Sequence, residues 1–311
     1  MSFLVELSRD AYPDIALDGF AANSTFSLGN TQAMMWMSQL AYETANRSKV
    51  ENILSAWHLT MRAFASNDPI TGLPPHSACA VVAGGRGATI VAFAGTDPLK
   101  IEDWITDFTI DPPSVSELHS GFQAAVKTVW PEIRTALANR PPPEQALFFT
   151  GHSLGGALAI IAAEHAMREL NAPATAVYTF GSPRVGGTAF FNSYTPRLGD
   201  TTFRLVHGTD VVATVPPTLS NQFLHVGRLI QCATDSRFDA QTEMRARDEN
   251  GPNVVESVLQ SGLADFRALT AFRLIRAIGP RPLDRLAGLL PRMVRDHVPA
   301  NYFRALSTTL R

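Results

Sequence analysis

Residues 150–157 read Thr-Gly-His-Ser-Leu-Gly-Gly-Ala and join a mainly apolar run at 145–149 to a second at 158–163. The first run has the length of a strand and the second opens a longer helical pattern, so Ser153 sits where a strand turns sharply into a helix. Few local features restrict a fold more. Gly151 stands two residues before the serine and Gly155 two after it, where strand and helix approach and a side chain would lack room. A serine on such a corner projects from the end of a sheet. The helix behind it aims backbone N–H groups and the positive end of its dipole at that corner, where developing negative charge would be stabilised.

The rest of the chain supports a layered fold around this corner. With 311 residues, 45% hydrophobic and 17% charged, it can bury the core of one large α/β domain. Helical spacing of Ala33, Met34, Met37, Leu40 and Ala41 predicts a helix over 30–46, and a second is expected at 50–56. The Met34, Met35 and Met37 group reads as core packing. Apolar runs at 79–83 and 88–93 flank Gly84-Gly85-Arg86-Gly87 and predict a β-hairpin. A helix is expected at 120–138, with further strands at 176–180, 202–207 and 223–230. Alternating strands and helices imply a mostly parallel sheet with helices on both faces.

Charge and cysteine usage narrow the function classes. A net charge of −2 argues against nucleic acid as a partner. The two cysteines, Cys79 and Cys232, lie in apolar strand-like contexts and read as buried free thiols. Residues 1–10 lack a basic segment followed by an apolar one, and no stretch is apolar enough to span a bilayer, so the expected address is the cytoplasm.

Gly151-x-Ser153-x-Gly155 at a strand–helix corner is the nucleophile elbow of an α/β-hydrolase. A serine hydroxyl is a weak nucleophile at neutral pH and needs a histidine base oriented by a carboxylate. In this fold the acid and then the histidine follow the serine. Asp210, just past the strand at 202–207, fits the acid's place better than Asp200, which precedes that strand, or Asp235 and Asp239, which lie in a polar stretch. Two histidines follow. His225 sits in an apolar strand pattern that suits a structural residue, whereas His297 lies where a helix gives way to a loop, and the sequence favours His297. His152 is too close to Ser153 to reach back to its hydroxyl and is expected to pack or bond locally. The oxyanion donors are expected to be the Leu154 amide and, from the turn that leaves the 88–93 strand, Thr96. No His/Cys cluster has metal-ligand spacing, and the chemistry requires no cofactor.

These residues resemble the class 3 lipase family. The similarity runs through Leu40-Ala41-Tyr42-Glu43, Ala94-Gly95-Thr96-Asp97, Asp103-Trp104-Ile105-Thr106-Asp107 and Leu118-His119-Ser120-Gly121-Phe122. It continues through 150–159, 180–186, 210–217 and 223–227, and ends with Asp296-His297 followed by Tyr302-Phe303. The resemblance implies Ser153 as nucleophile, Asp210 as acid, His297 as base, Thr96 and Leu154 as oxyanion donors, and His225 as a histidine outside the triad. It further implies a short lid helix near Trp104 and Asp107; the expected partner is a small-molecule or lipid ester substrate, with transient contact at a lipid interface.

The expectation is therefore a single α/β-hydrolase domain over residues 1–311 acting as a lipase. Its alternatives are a feruloyl-type or other small-acyl esterase, a phospholipase, or a silent lipid-binding protein. The family's disulfides cannot form here, and the final motif has one extra residue before its Tyr-Phe pair. A segment at about 236–295 reads as a helical insertion. Its apolar residues at helical spacing among several arginines read first as a helix packed on the core with solvated arginines, the alternative being an amphipathic cap beside the site that docks on a lipid surface.

Overall fold

The computed structural model describes residues 6–43, 46–66, 78–95, 118–216, 223–239, 244–245 and 292–307. Eight strands lie side by side in chain order: β1 (Thr60–Ser66), β2 (Cys79–Gly85), β3 (Ala88–Phe93), β4 (Ala146–His152), β5 (Ala176–Phe180), β6 (Thr202–His207), β7 (Arg228–Cys232) and β8 (Met244–Arg245). The pairs from β3 to β7 are parallel, while β1–β2, β2–β3 and β7–β8 are antiparallel. This is the α/β-hydrolase arrangement expected from the elbow, with a mostly parallel sheet.

The described helices are α1 (Leu28–Leu40), α2 (Arg47–Ala56), α3 (Ser120–Ala138), α4 (Leu154–Leu170), α5 (Thr188–Leu198), α6 (Arg292–His297) and α7 (Pro299–Ala305). Right-handed crossovers between parallel strands laid down in sequential order place their helices on one face. Accordingly α3, α4 and α5 share one core, with Phe122, Val126, Ile133, Ile161 and Tyr194 packed on Val82, Val91 and Phe149. The opposite face, carrying Val81, Ile90, Phe148 and Tyr178, is covered by α1 and α2 from the beginning of the chain and by α7 from its end. The strands alternate accordingly, and in β2 Ala80 and Val82 face one core while Cys79, Val81 and Ala83 face the other.

Several expectations shift at their edges. Helix α1 ends at Leu40 because Tyr42 and Glu43 leave it for buried partners, His152 and Tyr12 respectively. Met34, Met35 and Met37 are fully buried, and both cysteines are buried free thiols. The strand expected at 223–230 begins only at Arg228. Gly227 adopts φ +85° against Thr202, so the chain kinks there, and Leu224 makes only an isolated bridge to Gly186. The strand β1 was not anticipated, since its half-exposed edge position gives no apolar run. Thr96, Trp104, Asp107 and nearly all of the 236–295 insertion lie outside the described residues. Among the described residues no helix is long and apolar enough to cross a membrane.

Candidate active site

Strand β4 runs directly into the corner. Ser153 adopts φ 58° and ψ −132°, a sparsely populated backbone conformation for a residue with a side chain. Its amide donates to the Phe180 carbonyl at 2.8 Å, pinning the corner to the end of β5. A Cβ on Gly151 would enter the backbone of Gly155, and one on Gly155 would enter the carbonyl of Phe93. The glycine spacing is thus steric: β3, β4 and α4 pass too closely for a methyl group. Leu154 opens α4 and carries one of the amides that a helix leaves without an internal acceptor. The described chain leaving β3 ends at Gly95, where a Cβ would lie 3.1 Å from the Ser153 Cβ. Gly95 thus lies beside the serine, and Thr96 falls outside the described residues.

The structure brings His297 and Asp210 together from the end of α6 and the loop after β6. His297 Nδ1 lies 2.9 Å from both Asp210 carboxylate oxygens, and both residues are 1% exposed. An ionised carboxylate only accepts, so Nδ1 carries the proton and Nε2 is left with a lone pair. Among the described residues neither His297 Nε2 nor Ser153 Oγ has a hydrogen-bond partner. Their surroundings nevertheless coincide. A Cβ on Gly181, the residue after the Ser153 anchor Phe180, would lie 2.9 Å from His297 Nδ1. Gly181 itself sits at φ +58°, a conformation glycine reaches without strain.

Asp210 is supported on several sides. Its Oδ1 accepts from the Val212 amide at 2.9 Å, and its Oδ2 from the Tyr302 hydroxyl at 2.6 Å. Burial works to raise its pKa, but the charge of His297 and the hydrogen bonds from His297 and Tyr302 outweigh it, so the net displacement is downward. The Tyr302 phenol is driven well above its ordinary value by burial and by the Asp210 charge, and stays a donor.

The other candidates stand apart. His225 Nε2 donates to the Ala213 carbonyl at 2.7 Å. Burial, with the charges of Arg204 and Arg184, holds its pKa well below the ordinary value. Asp200 and Asp235 are exposed, within ion-pair distance of Arg228 and Arg292. Among the described residues no group of three or more His, Cys, Asp or Glu side chains could hold a metal ion.

Three features of the site escaped the sequence. Tyr302 is five residues beyond the histidine on a separate helix, and only its place in the resemblance motif drew notice. Asp296 Oδ2 accepts from the Thr209 amide at 2.8 Å and from the Thr209 and Thr234 hydroxyls at 3.0 and 2.7 Å, tying α6 to the loop that carries Asp210. His152, expected to bond locally, instead reaches partners 110 and 145 residues away, Tyr42 and the backbone of His297.

Residues 90–220 match the family model described as lipase (class 3), a segment that holds Ser153 and Asp210 and ends before His297. The chain is similar to a secreted mono- and diacylglycerol lipase 1 of Fusarium solani, 36% identical over 139 residues, covering 42% of this chain and 40% of that one. A lipase of Rhizomucor miehei is 34% identical over 158 residues, 48% of this chain and 43% of that one. The chain thus spans about two fifths of the length of these curated relatives. In fold it is similar to the crystal structure of a mono- and diacylglycerol lipase from Aspergillus oryzae. The TM-score is 0.56 at 23% identity, over 70% of this chain and 85% of that one.

Proposed function

We propose, from the premise that the chain belongs to the class 3 lipases by its match over residues 90–220, that it is a serine carboxylic ester hydrolase cleaving acylglycerol esters. In this reading His297 Nε2 takes the Ser153 hydroxyl proton as Oγ bonds to the ester carbonyl carbon, and the carbonyl electron pair moves onto oxygen. The Leu154 amide and Thr96 receive that oxyanion. When it collapses, the alcohol leaves with the proton held on His297, and an acyl-serine remains. Water, deprotonated by the same nitrogen, then releases the acid and restores the serine. Asp210 keeps the proton on Nδ1 and stabilises the imidazolium that forms twice per turnover.

The observations that carry this reading are the buried His297 Nδ1–Asp210 pair at 2.9 Å beside Gly181, and a serine held at φ 58° at a strand–helix corner whose amide is anchored on Phe180, the residue before Gly181. The relatives named above are mono- and diacylglycerol lipases or lipases by name, which favours a lipid ester as substrate. Contact with the substrate phase is transient, and the 236–295 segment as a cap belongs to the same proposal. The address is the cytoplasm or, as for the secreted relative of Fusarium solani, outside the cell, and cell fractionation separates the two. Fluorophosphonate labelling tests the chemistry: the wild type takes the label, Ser153→Ala does not, and a label retained in Ser153→Ala refutes the assignment. A series of esters of increasing acyl length then separates a lipase from a small-acyl esterase.

A further inference from the structure

His297 closes a helix of only six residues and is followed within two positions by Pro299. So short an element has little stability of its own, and the base must be located by tertiary contacts. Asp210 holds one atom of the ring. A second hold acts on the backbone: the His297 carbonyl lies 2.8 Å from His152 Nε2. That carbonyl is one of the acceptors a helix C-terminus leaves unpaired, and here it is buried beside the serine.

A carbonyl can only accept, so His152 Nε2 carries the ring proton and Nδ1 is the acceptor. The Tyr42 hydroxyl, 2.9 Å from Nδ1, is the donor that selects this tautomer. The ring is fully buried, and burial, reinforced by the His297 charge, pushes its pKa down to about 3, so it stays neutral at working pH. The His152 and His297 rings lie 4.6 Å apart at 33°, and Tyr302 meets His152 edge-on at 5.6 Å. Gly95 completes the arrangement, because a Cβ there would collide with both the Tyr42 hydroxyl and the His152 carbonyl. Tyr42 and His152 thereby join the exit of β3, the elbow and the base.

We propose that His152 is a positioning residue for ester hydrolysis: donating its Nε2–H to the His297 carbonyl, in a tautomer imposed by Tyr42, it holds the backbone of the base while Asp210 holds its ring. This rests on the reading of His297 as base. A purely packing residue could be replaced by phenylalanine without chemical cost, which separates the two roles. His152→Phe should lower kcat on a soluble short-chain ester about 10- to 100-fold, the consequence of orphaning a buried carbonyl and hydroxyl. KM should stay within about twofold, and the fluorophosphonate labelling rate should fall with kcat. His152→Gln, whose amide N–H can reach the same carbonyl, should recover most of the loss. Tyr42→Phe should slow the wild type several-fold yet add little in the His152→Phe background, since both act through one chain. If His152→Phe does not accumulate as folded protein, the comparison of Tyr42→Phe alone with Tyr42→Phe/His152→Gln carries the test. The inference is overturned if His152→Phe labels and turns over at the wild-type rate, or if its loss is no smaller in His152→Gln. A wild type that takes no label overturns the hydrolase reading and this inference with it.

Discussion

Replacing Tyr302 by phenylalanine removes one oxygen and leaves two buried groups without it. Asp210 Oδ2 loses a donor at 2.6 Å, and the His207 amide loses its acceptor at 3.2 Å. A hydrogen bond to a charged group contributes about 1.5–3 kcal/mol, and a buried orphaned amide costs about 1–3 kcal/mol. Allowing for relaxation around the phenyl ring, the expected destabilisation at pH 7 is about 2–4 kcal/mol, within what a folded domain can absorb. The pH dependence isolates the charged part. The folded-state pKa of Asp210 lies below its ordinary value of 3.8, so its ionised form contributes stability that is complete above that value. The contribution is lost as the pH falls through the lowered folded value. The variant loses one of the donors that holds this value down, so its folded pKa is higher and its own loss is complete at a higher pH, while the wild type goes on losing stability below it. The gap between the two proteins therefore narrows on acidification, toward the cost of a neutral hydrogen bond, about 1 kcal/mol. Urea unfolding followed by tryptophan fluorescence at pH 7 and at steps down to pH 3 measures both quantities. A gap below about 1 kcal/mol at pH 7, or one that widens on acidification, would refute the charge-assisted bond.

The elbow and the choice of base yield two further expectations. Gly155→Ala sets a methyl group against the Phe93 carbonyl and 2.9 Å from the Ala94 carbonyl carbon, backbone that cannot rotate away, and should cost about 3 kcal/mol. A melting temperature within about 2 °C of the wild type would contradict this steric reading of the glycines. His297→Gln should reduce kcat/KM by about 10³-fold or more, as loss of a general base requires. His225→Gln, which can still donate to the Ala213 carbonyl, should stay within about threefold of the wild type in steady-state assays, because that bond is structural. The reverse order would move the base to residue 225.

Much of the site was legible because its signals are local. The corner at Ser153 is written in eight consecutive residues, since strand, turn and helix each impose their own period and the glycines mark where backbones meet. The hairpin of β2 and β3, the helix α3 and the strands β5 and β6 follow from the same short-range patterns. Asp210 could be chosen because the end of a parallel strand is itself a local feature. By contrast, the local contexts of His225 and His297 only favour His297, and it is the path of α6 and α7 across the sheet that turns its ring toward Asp210. The roles of His152, Tyr42 and Tyr302 were hidden for the same reason: each is defined by a partner about ninety or more residues away.

The sequence by itself determined the elements, their alternation and the sheet end that bears the serine, because backbone periodicity and steric need act between near neighbours. Only the tertiary structure decided how the second face is covered. Sequential right-handed crossovers put α3, α4 and α5 on one side, so the two ends of the chain had to close the other. That closure carries α7, and with it Tyr302, onto the face where Tyr42 lies at the end of α1. Hydrogen bonds from Tyr302 to Asp210 and from Tyr42 to His152 then set the surroundings of His297, and no local pattern in the chain encodes that meeting.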